Sequence, residues 1–471
     1  MRHVEGTDRH QTTLLPESLD DFVDASHPVR VIDAYVDTLD TQALGFDKAT
    51  PKETGRKPYH PGDLLKLYLY GYLNKVMSSR RLETECHRNI EVMWLLKRLR
   101  PDFKTIANFR KDNGSAITNA SRAFIQFCRE ANLLTGQLVA IDGSKFQASA
   151  SIKQAINRKQ LARDRTEVEQ HIERYLARLD EADDQDNGDG LQRDRVQQTL
   201  AKLRAKAQRL SAREQIMNDA NVNQHCETEA DARLLRSPGR GNVLGYNVQT
   251  AVEAQTGLIV HHEVTNESGD LRMLQPMAVQ TKKVLDAQDL QVVADAGYSN
   301  GEHLDRCEQE GITATAPRRK IPSKYKQMYQ KADFTYDPSN DHYVCPAGEI
   351  LRRAGFDKSR NHYLYKRKGC NECHLQARCT TANTRTLTRH KYEQAYARSE
   401  ARLQANPDLM KVRMSIVERP FAVLKETMGL RRFQCRGIAK ARAEMSIAVL
   451  AFNLRHMINR LGAQQMLRTI K

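Results

Sequence analysis

The chain has 471 residues, with 74 Lys and Arg against 58 Asp and Glu, a formal charge of +16 and a pI near 9.4. That length supports about two to four domains with a sizeable core, and the charge points to a polyanionic partner, nucleic acid first and an anionic membrane surface second. No apolar run approaches the ~18–20 residues that span a bilayer, and Met1-Arg2-His3-Val4-Glu5-Gly6 opens no signal-peptide core, so the expectation is a cytoplasmic protein with no membrane role, whose nine cysteines need a reason other than secreted disulfides.

Residues 14–50 carry apolar positions at helical spacing, among them Phe22, Val29, Ile32, Tyr35, Val36 and Leu39. From Tyr59 to Leu73 the chain reads as a helix opened by Pro61 after a Pro-Gly turn. A polar, basic helix with Ser79, Arg80, Arg81, Glu85 and Arg88 follows. Thr105 is placed to cap a further short helix that ends in Arg110 and Lys111. Residues 1–130 therefore read as an all-helical module, with Arg80 and Arg81 as candidate DNA contacts; an ordinary helical domain with a solvated basic face is the plainer alternative.

A strand over 137–142 ends in Ile141-Asp142-Gly143-Ser144. Beyond it, Leu161, Arg165, Val168, Ile172, Tyr175 and Leu179 form a heptad seam interrupted by Arg165, and Val196, Leu200, Leu203, Ala207 and Leu210 repeat the spacing. Two seams around the acidic loop Asp180–Gly190 predict an antiparallel helical hairpin over about 152–215. Asp183, Gln185, Asn187, Gly188 and Asp194 fall near calcium-loop positions but lack the closing glutamate, so the loop reads as solvated.

The glycines Gly239, Gly241 and Gly245 make no dinucleotide fingerprint and read as loop. Two alternating strands, 245–253 and 258–265, joined by a Gly257 turn, read as a hairpin. A helix around 273–287 leads to Gln291-Val292-Val293-Ala294-Asp295-Ala296-Gly297-Tyr298, where an apolar strand delivers one aspartate. A single such aspartate reads more readily as a strand-end turn than as a ligand. Two of them side by side in one sheet would suit a divalent metal that holds phosphate oxygens.

Within 333–380, Cys345, Cys370, Cys373 and Cys379 have spacing that could close a tetrahedral structural zinc site, with His374 as a competing ligand. The other five cysteines are scattered and read as small buried hydrophobes. The last segment puts Val417, Phe421 and Leu424 on one helical face with Glu418 at its edge; Pro420 places the helix start near Ser415, or a kink if it starts earlier. Arg431, Arg432, Arg436, Lys440 and Arg442 supply cations for a phosphate backbone, and a final helix is predicted over Ala443–Leu461.

Taken together, Ile141-Asp142-Gly143-Ser144, Gly245-Tyr246-Asn247-Val248-Gln249, Asp295-Ala296-Gly297-Tyr298, the cysteine insertion, and Val417-Glu418-Arg419-Pro420-Phe421 with Gly429 and Arg436-Gly437 resemble the DDE transposases of bacterial insertion sequences. The resemblance covers nearly the whole chain. It implies an α/β fold whose RNase H-like mixed-sheet catalytic core spans 131–332 and 381–471. A helical N-terminal domain (1–130), the helical-hairpin insertion and a cysteine-rich insertion (333–380) complete the expected plan, the last with zinc if its spacing is read as a site and with reduced, unliganded cysteines otherwise. It also implies that Asp142, Asp295 and Glu418 bind two Mg²⁺ (or Mn²⁺) ions and are the catalytic acids. Lys425 matches the family's lysine after the glutamate, whereas its arginine and tyrosine positions hold Met414 and Lys411, with Arg413 one residue off. The implied partners are double-stranded DNA, as terminal inverted repeats and target, and further copies of the chain in a synaptic complex, a dimer or higher, at the nucleoid. The implied reaction is strand cleavage followed by strand transfer, with Lys425, Arg431, Arg432 and Arg436 on DNA. Three rivals share the features: an inactive transposase-derived DNA-binding protein, a zinc-stabilised regulator and a nuclease of the same fold.

Overall fold

The computed structural model describes residues 18–54, 57–134, 136–184, 190–237, 241–319 and 327–470. A short helical turn at Leu19–Phe22 is followed by α1 (Pro28–Asp37), α2 (Pro61–Leu73), α3 (Ser79–Arg88), α4 (Ile90–Leu95), α5 (Phe103–Asp112) and α6 (Gly114–Glu130). The same device opens α1 and α2: a histidine N-cap whose Nδ1 accepts a backbone N–H, then proline at the first helical position. Asp102, not Thr105, caps α5; its carboxylate takes the Lys104 and Thr105 N–H groups and the Thr105 hydroxyl as well. α2 is apolar almost all round and buried. Its one buried cation, Lys66, is met by Asp33 at 2.5 Å and Asp37 at 2.6 Å on α1.

The central sheet starts with β1 (Leu138–Gln147). β2 (Ala155–Asn157) leads into the hairpin of α7 (Arg158–Asp184) and α8 (Gly190–Asp219), and β3 (Gln224–Cys226) pairs back on β2 to close its base. Arg165, which interrupts the apolar seam, is ion-paired across the hairpin to Glu214. Much of the candidate calcium loop, 185–189, lies outside the described residues. Then come β4 (Arg233–Ser237), β5 (Gly241–Glu253), β6 (Ile259–Thr265), α9 (Leu274–Leu285), β7 (Leu290–Val293), α10 (Gly301–Gln309) and β8 (Ile312–Thr315). The strands run in the order β4-β5-β1-β7-β8, with β6 also paired to β5. The β1–β5, β4–β5 and β5–β6 pairings are antiparallel, and β1–β7 and β7–β8 are parallel. Gly241 and Gly245 belong to β5 rather than to a loop.

Two expectations about local structure change. β1 does not stop at Asp142, because its antiparallel partner β5 follows it to Gln147 whereas its parallel partner β7 leaves at Ala140. The helix around Glu418 starts earlier than Ser415: after α11 and α12 (below), α13 spans Leu409–Ala422 with Pro420 inside it, and a π turn at Val423–Thr427 follows. Pro420 has no N–H to give to the Ile416 carbonyl, and one turn later the hydrogen-bond spacing widens, Met428 N–H reaching the Val423 carbonyl.

Between β8 and α13 lies a separate antiparallel sheet of β9 (Thr335–Asp337), β10 (His342–Val344), β11 (Ile350–Asp357), β12 (His362–Arg367) and β13 (Arg385–His390), with α11 (Gln376–Cys379) before its last strand and α12 (Glu393–Ala405) after it. This sheet has its own small core of Phe334, Tyr343, Leu351, Tyr365 and Leu387, and its last strand lies beyond the boundary expected at residue 380. The chain ends in α14 (Ile438–Leu461) and α15 (Ala463–Ile470). α14 is buried on most of its surface and packs on α2, α6 and β6. One hydrophobic core consequently runs from Val23 through the central sheet to Met466. No helix among the described residues is long and apolar enough to cross a membrane.

Candidate active site

Parallel pairing of β1 with β7 sets the register Ala140 to Val293. Asp142 and Asp295 each lie two residues beyond that pair, so both carboxylates emerge at the carboxyl end of β7. Between them stands Arg413 of α13, with Nη2 at 2.8 Å from Asp142 and 3.9 Å from Asp295. The guanidinium is 8 % exposed, and its Nε has no hydrogen-bond partner. Burial pushes the Asp142 carboxyl up to about 6; the Arg413 charge and the Gly143 N–H oppose this, and the Asp295 and Asp270 carboxylates add to it. Asp295 also accepts the Gly297 N–H at 2.7 Å, so it serves as the turn cap that the plainer reading of its sequence allowed.

A third carboxylate, Asp270, stands beside this pair on the loop between β6 and α9. Its Oδ1 accepts from Asn247 Nδ2 and Gln249 Nε2, both at 2.7 Å, and lies 3.7 Å from Lys145 Nζ. Gln249 in turn accepts the buried Tyr298 hydroxyl. Asp270 passed unnoticed in the sequence because nothing periodic marks a loop aspartate. The signal lay in β5, where Asn247 and Gln249 alternate with apolar residues in a strand that is buried on both faces. Two fully buried amides on one strand face need a polar partner.

Glu418 is exposed on α13. The buried side of that helix carries Arg413, Ile416, Val417, Pro420 and Phe421, and a residue five positions after Arg413 is turned about 140° from it. The structure thus brings Asp142 and Asp295 together around Arg413 and gives Glu418 no contact with either. Among the described residues, no three acidic, His or Cys side chains stand close enough to hold a metal ion.

The candidate phosphate contacts fall into two places. Lys425, in the π turn, donates to Ser144 Oγ at 2.6 Å and lies 4.6 Å from the centre of the Phe146 ring, next to Asp142 on β1. Arg431 is ion-paired to Glu426. Arg432 forms a bridge to Gln147, and Arg436 Nε donates to the Ser149 carbonyl at 3.1 Å. Gln147, Ser149, Asn242, Arg432 and Arg436 line an open groove of about 740 Å³ that continues from the exit of β1. Arg80 and Arg81 are exposed on α3, Arg80 stacking over Phe103 of α5.

All nine cysteines are free thiols. Cys370, Cys373 and Cys379 sit in the turn and short helix between β12 and β13, and Cys345 directly follows β10. Burial raises the Cys379 thiol, the Arg385 charge opposes it, and the neighbouring Cys370, Cys345 and Cys373 raise it further. The four sulfurs are therefore near neighbours, without the close approach of a formed site.

Residues 17–112 match a family described as Transposase domain (DUF772), and residues 344–458 match the family Transposase DDE domain. The second match includes Glu418, Lys425 and Arg436; Asp142 and Asp295 precede it. No curated protein matches the chain. Among solved structures it is similar to a piggyBac transposase in a synaptic complex with hairpin DNA, at 9 % identity and a TM-score of 0.31, over 95 % of this chain and 80 % of that one. So loose a likeness carries no weight. With both segments matched to transposase domains, the chain falls among the DDE-type transposases, enzymes of mixed α/β architecture.

Proposed function

We propose that this transposase cuts and joins DNA strands at the ends of a bacterial insertion sequence, on an RNase H-like core, with Asp142 and Asp295 as ligands for two divalent cations, Mg²⁺ or Mn²⁺. The observation that carries this is the convergence of Asp142 and Asp295 on one buried cation, Arg413, where β1 and β7 part. Two carboxylates that share a guanidinium in a recess can hold a metal ion once that cation moves aside. The sheet order, antiparallel on one side of β1 and parallel on the other, supports the RNase H-like reading.

A phosphodiester resists attack because it is anionic. When bound, divalent ions would activate the attacking oxygen and stabilise the leaving one in an in-line displacement. In the first step water oxygen bonds to phosphorus, the phosphorus–O3′ bond breaks, and the oxygen leaves with a proton as a free 3′-hydroxyl. In the second, that hydroxyl attacks a target phosphodiester in the same way. Lys425, Arg432 and Arg436 hold the flanking phosphates. Glu418 joins the acids by a turn of α13 about its axis, which the π turn behind it can take up. Residues 1–130, with Arg80 and Arg81, serve as the DNA-end module, and the joining of two ends calls for a dimer or larger assembly.

The test uses purified protein, Mg²⁺ and labelled DNA carrying the inverted repeats that flank the gene. Cleavage with joining is expected, and Asp295→Asn abolishes both while DNA binding stays within about twofold, since the side chain touches metal and no phosphate. Cleavage without joining would make the protein a nuclease. Binding alone would make it an inactive derivative, and full activity of the Asp295→Asn protein would end the assignment.

A further inference from the structure

We propose that Asp270 is a further carboxylate of the catalytic cation site, oriented by Asn247 and Gln249 of β5; the inference rests on the metal-dependent reading above. Its two oxygens have different surroundings. Oδ1 is occupied by the Asn247 and Gln249 amides at 2.7 Å each, with Lys145 at 3.7 Å. Oδ2 is turned toward the Asp295 turn: a Cβ built on Gly297 would lie 2.8 Å from Asp295 Oδ1 and 3.8 Å from Asp270 Oδ2. On the other side, a Cβ on Gly143 would lie 2.8 Å from Asp270 Oδ1 and 3.0 Å from the Tyr298 hydroxyl, and would run into Gln249. Gly143, next to Asp142, and Gly297, in the Asp295 turn, thus lie against Asp270 without side chains, and a methyl at either would crowd a carboxylate oxygen. The three acids stand too far apart to close on one ion as they are, so the proposal requires them to draw together when the ion binds.

An acidic cluster alone would not make a site. Here two buried polar side chains at it are left incomplete. Asn247 is fully buried and gives Nδ2 to Asp270, yet its Oδ1 has no partner; Arg413 is 8 % exposed and its Nε has none. Polar atoms are costly to bury unpaired, and the water shell of a bound ion would complete both, giving to the Asn247 oxygen and accepting the Arg413 N–H. An amide-held carboxylate with its second oxygen directed at a recess is how proteins orient a metal ligand. The Tyr298 to Gln249 to Asp270 chain extends that support by one more residue.

The full-length protein is titrated with Mn²⁺, free ion followed by electron paramagnetic resonance and heat by calorimetry, with DNA binding measured in parallel without metal. Asp270→Asn is expected to weaken Mn²⁺ binding by 10-fold or more and to leave metal-free DNA binding unchanged. Gln249→Ala should weaken it less, because it loosens the carboxylate without removing it. If Asp270→Asn does not fold, Asp270→Ser replaces it, leaving room for a water between Asn247 and Gln249. Wild-type Mn²⁺ affinity in the Asp270 variant, with affinity lost in Asp142→Asn, would overturn the role of Asp270 and leave the site standing. Wild-type affinity in both variants would overturn the metal reading itself, and this inference with it.

Discussion

Arg413 holds the site in its present form. Its charge compensates two part-exposed carboxylates at the end of a sheet, Asp142 the more covered of the two, and no other cation is as close to both among the described residues. Removing one member of a buried ion pair costs about 3–5 kcal/mol, and the half-exposed Asp295 puts this case near the lower figure. Arg413→Ala should therefore lower the melting temperature of the metal-free protein clearly. Millimolar Mg²⁺ should restore more of it than it adds to the wild type, since a cation bound to the folded state alone stabilises by mass action. Thermal denaturation of both proteins with and without Mg²⁺ checks this. Equal metal-dependent shifts would mean that Arg413 does not stand in the cation's place. The residue also shows how far a family pattern can be trusted position by position: the expected arginine position holds Met414, which is 51 % exposed, while Arg413 one residue earlier faces the aspartates.

Helix α12 is tied to the core by Ser399, Arg398 and Arg402, and to the small sheet by an acidic side chain in its first turn. Glu393 in its first turn meets Arg318 at 2.8 and 3.1 Å and Lys331 at 2.7 Å, and accepts the His390 N–H of β13. Burial works to raise the Glu393 carboxyl, but hydrogen bonds from Arg318 and Lys331 and their charges win and hold it at about 2. A carboxyl depressed from its ordinary 4.5 contributes stability that is fully present above that value and is lost as pH falls toward 2. Glu393→Gln should cost about 1–2 kcal/mol at pH 7, after allowance for solvent screening of its part-exposed partners. Its urea midpoint should approach that of the wild type as pH drops below 4; a pH-independent gap would refute the linkage. A second element-level expectation concerns the turn that follows β12. Cys345, Cys370, Cys373 and Cys379 gather there, and Cys345 and Cys379 pack against the same small core, so we propose that they take one structural Zn²⁺. Elemental analysis of the purified protein should give about one zinc per chain, falling with Cys373→Ser; zinc well below stoichiometry in freshly purified protein would remove the site.

Local signals placed most elements of this chain. His-Pro openings marked α1 and α2, alternation marked β5 and β6, and twin apolar seams marked α7 and α8. What stayed hidden depends on partners distant in sequence. The overrun of β1 to Gln147 is dictated by β5, a hundred residues later, and β4 has no alternating pattern because its Arg-Leu-Leu-Arg-Ser run gains strand character only by pairing with β5. Asp142 and Asp295 could be named because strand-to-carboxylate junctions are local. Asp270 could not, since its meaning comes from two amides on another strand. Sequence spacing put Glu418 at the edge of an apolar face, but which way that residue looks depends on how α13 rolls against β1, and it is exposed.

At the scale of the molecule, the N-terminal helices and the sheet are parts of one packed body. α14 is the centre of it: Ile447, Ala448, Leu450, Ala451 and Leu454 are fully buried, and the helix lies against α2 and α6 on one side and β6 on the other. Ser446 makes the same point in polar terms, bonding Thr118 of α6 at 3.0 Å and His262 of β6 at 2.9 Å. A helix apolar on most of its surface cannot face water on one side. Exposing even four such side chains would cost roughly 6–12 kcal/mol, comparable with the ~5–15 kcal/mol that keeps a typical protein folded. A chain beginning at residue 131 should therefore fail to give a soluble monomer with a cooperative thermal transition, although it retains every proposed catalytic acid. Co-expression with residues 1–130 as a separate chain should rescue it, because the missing partner is a surface and not a covalent link. A stable, monomeric 131–471 fragment would show that α14 can bury its apolar surface without α2 and α6, and that the helical segment is an appended module. DNA-end recognition would then be separable from the catalytic body, whereas the shared core makes any movement of the N-terminal helices on DNA felt at α14 and, through the loop that Glu444 holds by the Gln434 and Cys435 N–H groups, at the arginines beside β1.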